Sequence, residues 1–295
     1  MARLPRYADE SPPAGPSRPT AVRTGLSGRQ RRGGHATART NSTSQRFEPL
    51  EAAQDRTVLV ADMTGSGPVD YATALGWQNA LVGAKCEGRL EEDVLLVVEH
   101  SPPCFTLGTG SDRSNLRFDP ADPPEGFELH RGVGRGGEAT YHGPGQVVLY
   151  PVLDLKRYRQ DLHWHLGALE ETVVRACAVY GVEGASGGDD GLTGVWIDGA
   201  KVAATGVRAQ KWVTSHGIAW NVSVDLSHFR HIVPCGIADR PVQSLDRVLG
   251  REVDVVEAAR VAVACFADVF ACEAVPLEPS EARSLLAGSW WANPP

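Results

Sequence analysis

The sequence predicts a single α+β domain with hairpin-connected strands, and three observations carry that prediction. Helical and extended patterns are mixed along the chain without the regular βαβ alternation of a doubly wound sheet. A dense extended region, "LTGVWIDGAKVAATGVRAQKWVTSHGIAWNVSV", holds a "DG" pair between apolar runs, the mark of a hairpin turn. Amphipathic helical stretches stand on both sides of that region. With 295 residues and 42% apolar content, the chain can bury one substantial core or two small ones.

The elements follow in order. The opening "MARLPRYADESPPAGPSRPTAVRTGLSGRQRRGGHATARTNSTSQ" has almost no large apolar residues, so burial cannot offset its ordering entropy and a disordered tail over 1–50 is expected. That tail holds 9 Lys+Arg against 3 Asp+Glu, which leaves the other 245 residues with 20 against 33, a formal charge of −13. Its "RQRR" reads as solvated extension rather than nucleic-acid contact, and the early Asp9 and Glu10 disfavour an organelle transit peptide. "TVLVA" reads as a first strand, "VDYATALGWQNALVGAKCEG" as a helix and "DVLLVVEH" as a buried strand. "SPPCFTLG" is a turn into a short extended piece. "QDLHWHLGALEETVVRACAVY" places Leu162, Leu166, Leu169, Val173, Cys177 and Tyr180 on one helical face. A last strong helix covers 254–272, with Val256, Ala259, Val263, Phe266 and Phe270 at helical spacing. The folded body is expected to run over 55–277, followed by a short C-terminal extension over 278–295.

Several function classes are disfavoured at once. No apolar run approaches the ~18–20 residues of a bilayer span, and no secretory signal is readable, so the expected compartment is the cytosol. The cysteines Cys86, Cys104, Cys177, Cys235, Cys265 and Cys272 sit at irregular spacings without C-x-x-C, which indicates neither a disulfide framework nor a thiolate zinc site. His163 and His165 stand two apart on a helix and diverge, so no metal is expected there.

The stretch "RGVGRGGEATYHGPGQVVLYPVLDL" crowds six glycines around one histidine and then enters an apolar strand. Gly132, Gly134 and Gly137 satisfy G-x-G-x-x-G, but a dinucleotide site needs a helix to start at once, and here a β run follows. "GASGG" at 184–188 matches a nucleophile elbow by chance, in an acidic loop with no helix after it. Cys235, between Pro234 and Gly236 in a turn, can keep an accessible sulfur, although a packed turn cysteine is the commoner case. A solvated hairpin lysine is likewise the commoner reading of Lys201 taken alone.

The motifs "RGGEATYHGPGQVVLYP", "GVWIDGAKVAATGV", "SHGIAWNVSVDL" and "IVPCGI" occur in the order and at about the separations found in the lipoyl(octanoyl) transferases, the lipoate–protein ligase B family. The resemblance covers about 57–276 and implies a biotin/lipoate protein ligase-like fold with a mixed, largely antiparallel sheet flanked by helices. It implies transfer of an octanoyl group from octanoyl-acyl carrier protein to a lysine of lipoyl domains, in 2-oxoacid dehydrogenase E2 subunits and glycine cleavage H protein. No cofactor, nucleic acid or membrane is implied, and a monomer is expected. Carried over by motif, Cys235 is the nucleophile and Lys201 its partner. The acyl chain then lies along Arg135, Gly136, Gly137, Glu138, Ala139, Thr140, Tyr141 and His142, with further contacts at Ala204, Thr205, Gly206, Gly217, Ile218 and Ala219. One departure stands out: Thr109 and Gly110 replace a basic pair common in the family after its "TLG"-like turn.

The chemistry agrees with that assignment. One thioester exchanged for another costs little, aminolysis by lysine is downhill, and no ATP is needed. The nucleophile must be a thiolate, which a nearby lysine cation favours, and a partly desolvated lysine can also pass a proton. In this reading the glycines let backbone approach an alkyl chain, and His142 either positions the carbonyl or bonds the loop. An acidic carrier would need a local basic patch on the acidic body, for which Arg131, Arg135, Arg208 and Lys211 are candidates. Two rivals remain: an ATP-dependent lipoate or biotin ligase, which would not need Cys235, and a non-catalytic acyl-binding regulatory protein, which would form no covalent adduct.

Overall fold

The computed structural model describes residues 47–51, 56–188, 192–233 and 240–289. Most of the expected tail, and Cys235 itself, lie outside them. The first strand, β1 (Thr57–Asp62), is followed by helix α1 (Tyr71–Cys86), whose N-terminus Asp70 caps by accepting the Thr73 N–H, and then by β2 (Asp93–Val98). Strands β3 (Cys104–Leu107), β4 (Glu128–His130) and β5 (Ala139–His142) precede β6 (Gln146–Val152) and α2 (Leu162–Val179). The dense extended region becomes β7 (Ser186–Gly187), β8 (Val195–Ile197), β9 (Ala200–Gln210) and β10 (Val213–Asn221). Short α3 (Leu245–Leu249), then α4 (Val255–Phe270), β11 (Glu273–Pro276) and α5 (Pro279–Leu286) complete the described chain.

The main sheet has the order β11-β1-β2-β6-β10-β9-β8-β7. It is parallel across β11, β1 and β2 and antiparallel from β2 to β7, the expected mixed and largely antiparallel architecture. A small second sheet, β4-β3-β5, stands beside it. Strands β2, β6 and β10 are buried at every position, because helices cover both faces. The two-residue period sorts their side chains: Leu95, Val97, Val147 and Leu149 join α2 and α4 in one core. Val94, Leu96, Val98, Val148 and Tyr150 join α1 and α5 in the other.

The "DG" hairpin is present, with Asp198 at φ 49° and Gly199 at φ 78° between β8 and β9. On α2 and α4, Leu169, Val173, Cys177, Ala259, Val263, Phe266 and Phe270 are buried as their spacing predicts. The body exceeds the expected 55–277 at both ends. Phe47 and Leu50 pack on the α2/α4 core, and the Glu48 carbonyl accepts the Trp164 indole N–H at 2.9 Å. At the other end, Ala282, Leu285 and Leu286 of α5 are buried against the α1 side, so part of the expected extension belongs to the fold. Both segments are too short and too polar for periodicity to separate them from tails.

Two buried polar features test the packing. Asp93 opens β2 with a fully buried carboxylate that takes the Lys85 ammonium at 2.8 Å and the Arg157 guanidinium at 3.2 Å, joining the end of α1 to the turn after β6. Removing it leaves the buried Lys85 ammonium with the Glu91 and Glu92 carbonyls but without that counter-charge, so Asp93→Ala should cost roughly 3 kcal/mol by urea unfolding. His165 is fully buried beside Phe270, with neither ring nitrogen bonded. Burial pushes its pKa down to about 3. The unfolded chain binds a proton near 6.5 that the folded chain refuses, so stability falls as the pH drops below about 6.5 toward 3. His165→Leu should therefore lose about 2 kcal/mol less than wild type between pH 7 and pH 5 in the same unfolding measurement.

Candidate active site

A cleft opens where the glycine-rich segment crosses β9 and β10. Its lining is mostly apolar or aromatic, from Ala139, Val148, Tyr150, Ala204, Ile218 and Ala219. The glycines serve first to bring backbone onto backbone. The Gly136 N–H donates to the Val207 carbonyl at 3.0 Å, and a Cβ on Gly206 would sit 2.9 Å from the Gly136 oxygen. On the other side Thr109 N donates to Arg135 O at 3.0 Å and Gly110 N to Gly137 O at 3.1 Å. The two residues that depart from the family pattern thus clasp the loop. Gly137, at φ 83°, makes the bend that only glycine tolerates well.

Arg135 is 7% exposed, and its guanidinium donates to Thr106 Oγ1 at 2.7 Å, to Thr106 O at 3.1 Å and to Gly136 O at 3.1 Å. It holds the loop from inside and is not part of a surface basic patch. Glu138, also on the lining, accepts from Asn115 Nδ2 at 2.6 Å.

A wall of rings completes the site. Tyr71 stacks on His142 at 5.5 Å between centroids, and His100 meets His142 edge-on at 5.4 Å. His100 donates from Nδ1 to the Val69 carbonyl at 2.9 Å, so its Nε2 accepts the Tyr150 hydroxyl at 2.8 Å, and burial pushes its pKa down to about 4. Burial, and then the neighbouring His100, hold His142 well below the ordinary histidine range. His216 lies on β10 at φ 58°, its N–H accepted by Gln78 of α1 at 2.8 Å, and burial pushes its pKa down to about 4. These rings are neutral near pH 7 and serve as shaped, weakly polar surface.

Lys201 does not line this cleft. It lies toward the start of β9, 4% exposed, with its ammonium 4.9 Å from the centre of the Trp196 ring. Its backbone N–H donates to Pro241 O and its carbonyl accepts the Gln243 N–H, both at 2.9 Å. The chain that carries Cys235 is therefore tethered to β9 on its far side. On its near side Val233 N donates to Asn115 O at 2.8 Å. Arg240 places its guanidinium carbon 5.5 Å over the same Trp196 ring.

Of the residues assigned by motif, Arg135, Gly137, Glu138, Ala139, Thr140 and His142 line the cleft, as do Ala204, Thr205, Gly206, Gly217, Ile218 and Ala219. Gly136 and Tyr141 do not. Tyr141 points to the other face of β5, among Phe105 and Phe229, with its hydroxyl 2.8 Å from His228 Nδ1. Tyr71, Val148, Tyr150 and His216 line the cleft without having been singled out. His216 precedes Gly217 in a motif already quoted, and its place there was the available signal.

The lipoyl protein ligase A/B catalytic domain matches residues 70–267. An octanoyltransferase of Nostoc punctiforme is 44% identical over 215 residues, covering 73% of this chain and 90% of that protein. An octanoyltransferase of a Synechocystis strain is 48% identical over 205 residues, covering 69% and 87%. Among solved structures, lipoate-protein ligase A bound with ATP superposes with a TM-score of 0.60 at 15% identity, covering 80% of this chain and 94% of that one. A bi-partite lipoate protein ligase of Thermoplasma acidophilum gives 0.56 at 15%, covering 80% and 92%; both likenesses concern the fold. The architecture, the motif-lined cleft and these relatives agree: the chain is an acyltransferase of the lipoyl protein ligase A/B catalytic-domain family and belongs among its octanoyltransferases.

Proposed function

We propose that the protein carries an octanoyl group from acyl carrier protein to a lysine of lipoyl domains through a thioester on Cys235. The observation that carries this reading is the position of Lys201, a buried lysine whose backbone is bonded to Pro241 and Gln243, six and eight residues beyond Cys235. That tether fits a dyad in which the ammonium favours the Cys235 thiolate by charge. The Trp196 ring face, 4.9 Å from the ammonium, supports the cation at this buried position. The cleft's apolar walls and neutral rings suit the chemistry of an alkyl chain.

In the first half-reaction the Cys235 thiolate attacks the donor thioester, the new C–S bond replaces the old one, and the carrier thiol leaves. In the second, the acceptor lysine amine attacks, a C–N bond forms, the C–S bond to Cys235 breaks, and the amine proton reaches the departing sulfur by way of Lys201. Four other cysteines compete poorly as nucleophiles. Burial pushes Cys265 up to about 11, Cys177 and Cys272 up to about 12, and Cys104 higher still, so all are thiols near neutrality.

Intact-mass measurement after mixing with octanoyl-acyl carrier protein should show one added octanoyl group, discharged by apo lipoyl domain, and none on Cys235→Ala. An adduct that persists on Cys235→Ala would place the nucleophile elsewhere. Efficient transfer from free octanoate and ATP would favour a ligase instead.

Lys201→Arg separates charge from proton transfer. Arginine keeps the cation but cannot act as a base near neutrality. The variant should alkylate at Cys235 with iodoacetamide faster than Lys201→Ala, yet transfer octanoyl groups at least about a hundredfold more slowly than wild type. Near-normal turnover would reduce Lys201 to an electrostatic role.

A further inference from the structure

We infer that His142 serves the cleft as a hydrogen-bond acceptor, fixed in that state by Gln146 and Asn221, and that it receives an N–H of the attacking lysine amine. The amine step rests on the octanoyl-transfer reading above; the protonation pattern rests on geometry alone. Two backbone carbonyls set the direction of every bond in the chain. Asn221 Nδ2 lies 3.1 Å from the Gln243 carbonyl, which can only accept, so the amide nitrogen is placed there and Oδ1 faces Gln146. Gln146 Nε2 lies 2.9 Å from that Oδ1 and 3.2 Å from the Tyr141 carbonyl, so it donates to both. Gln146 Oε1 is left to accept, and His142 Nδ1, 2.8 Å away, must donate. A neutral imidazole that donates from Nδ1 has a bare lone pair on Nε2. Gln146 is 1% exposed, Asn221 4% and His142 5%, so water has little access to reverse the order.

A lone pair cannot stabilise a carbonyl oxygen, which excludes His142 as an oxyanion donor. It needs a partner with a proton. The attacking sulfur is a thiolate and offers none, whereas the attacking amine keeps its N–H bonds as the C–N bond forms. His142 orients that amine without retaining its proton, because an imidazolium would be costly at so buried a position. The proton ends on the departing sulfur, as in the balance given above. Gln146 and Asn221 act through His142 as positioning residues. Gln243, at the end of the chain, also bonds Lys201, so one network sets both groups.

Enzyme loaded from octanoyl-acyl carrier protein and mixed with apo lipoyl domain in a quench experiment separates the half-reactions. His142→Phe keeps a ring on Tyr71 and should take up the octanoyl group within about threefold of wild type while discharging it at least about tenfold more slowly, the scale of one lost hydrogen bond. Gln146→Leu should shift the same step in the same direction. In ¹⁵N NMR of histidine-labelled wild type, the His142 signal, identified by its loss in His142→Phe, should show a protonated Nδ1 and a bare Nε2. A protonated Nε2 overturns the inference, as does discharge at the wild-type rate or a loading defect as large as the discharge defect. If wild type takes up no octanoyl group, the octanoyl reading fails and the NMR result still decides the tautomer.

Discussion

The exclusion of water from both faces of β2, β6 and β10 is the constraint on which the rest depends. A strand covered on both sides must satisfy every polar group within the protein, since a buried donor or acceptor without a partner costs about 1–3 kcal/mol. The sequence nevertheless puts threonine, histidine, glutamine and asparagine there. Thr214 of β10 answers by accepting the Leu153 N–H at 3.0 Å and donating to the Pro151 carbonyl at 2.7 Å, closing the end of β6. Gln78 reaches from α1 to take the N–H of His216, and Gln146 joins β6 to Asn221 of β10. The network that organises the cleft is therefore part of the same requirement that makes the sheet stable.

That requirement also explains the use of glycine. Gly217 lies one residue from the Ile218–Leu149 pair, and a Cβ there would come 2.0 Å from the Leu149 carbonyl, so β10 can approach β6 closely only without a side chain. Gly206 does the same for the loop that crosses β9. Removing side chains at these crossings lets the loop approach β9 and β10 approach β6, and the cleft lies beside them. The glycines of "RGGEATYHGPGQ" were expected to bare backbone to a ligand; at Gly136 the backbone N–H is used within the protein, by the Val207 carbonyl.

Much of this architecture was legible because it follows from period and turn chemistry. The α2 and α4 faces, the apolar run of β2 after Asp93 and the Asp198–Gly199 hairpin each leave a local signature. The turn between β9 and β10 leaves none. Lys211 and Trp212 adopt φ 51° and 71°, values favoured by neither residue, and the Trp212 carbonyl is fixed by the distant Leu155 N–H at 2.9 Å. Tyr71 and Tyr150 were equally unreadable as cleft residues, because nothing local distinguishes an aromatic that faces a cavity from one that faces a core. Spacing did indicate that His163 and His165 diverge: the first is exposed and the second buried. The glycine loop, Ala204 and Gly217 became legible only through their motifs, since their roles depend on strands far apart in the chain.

The same loop bears on what the cleft can hold. A phosphate cradle works through unpaired backbone N–H groups and fixed positive charge at a helix terminus. Here β5, not a helix, follows the glycines, and the Gly136 N–H is used by Val207. The Arg135 guanidinium is turned onto Thr106 and Gly136. His100, His142 and His216 are held neutral, so they add shape and a few directed lone pairs without adding charge. Such a lining gives a phosphate little to bind and offers an alkyl group apolar contact. What the cleft contributes to the proposed transfer is therefore apolar contact and directed lone pairs, and no fixed charge.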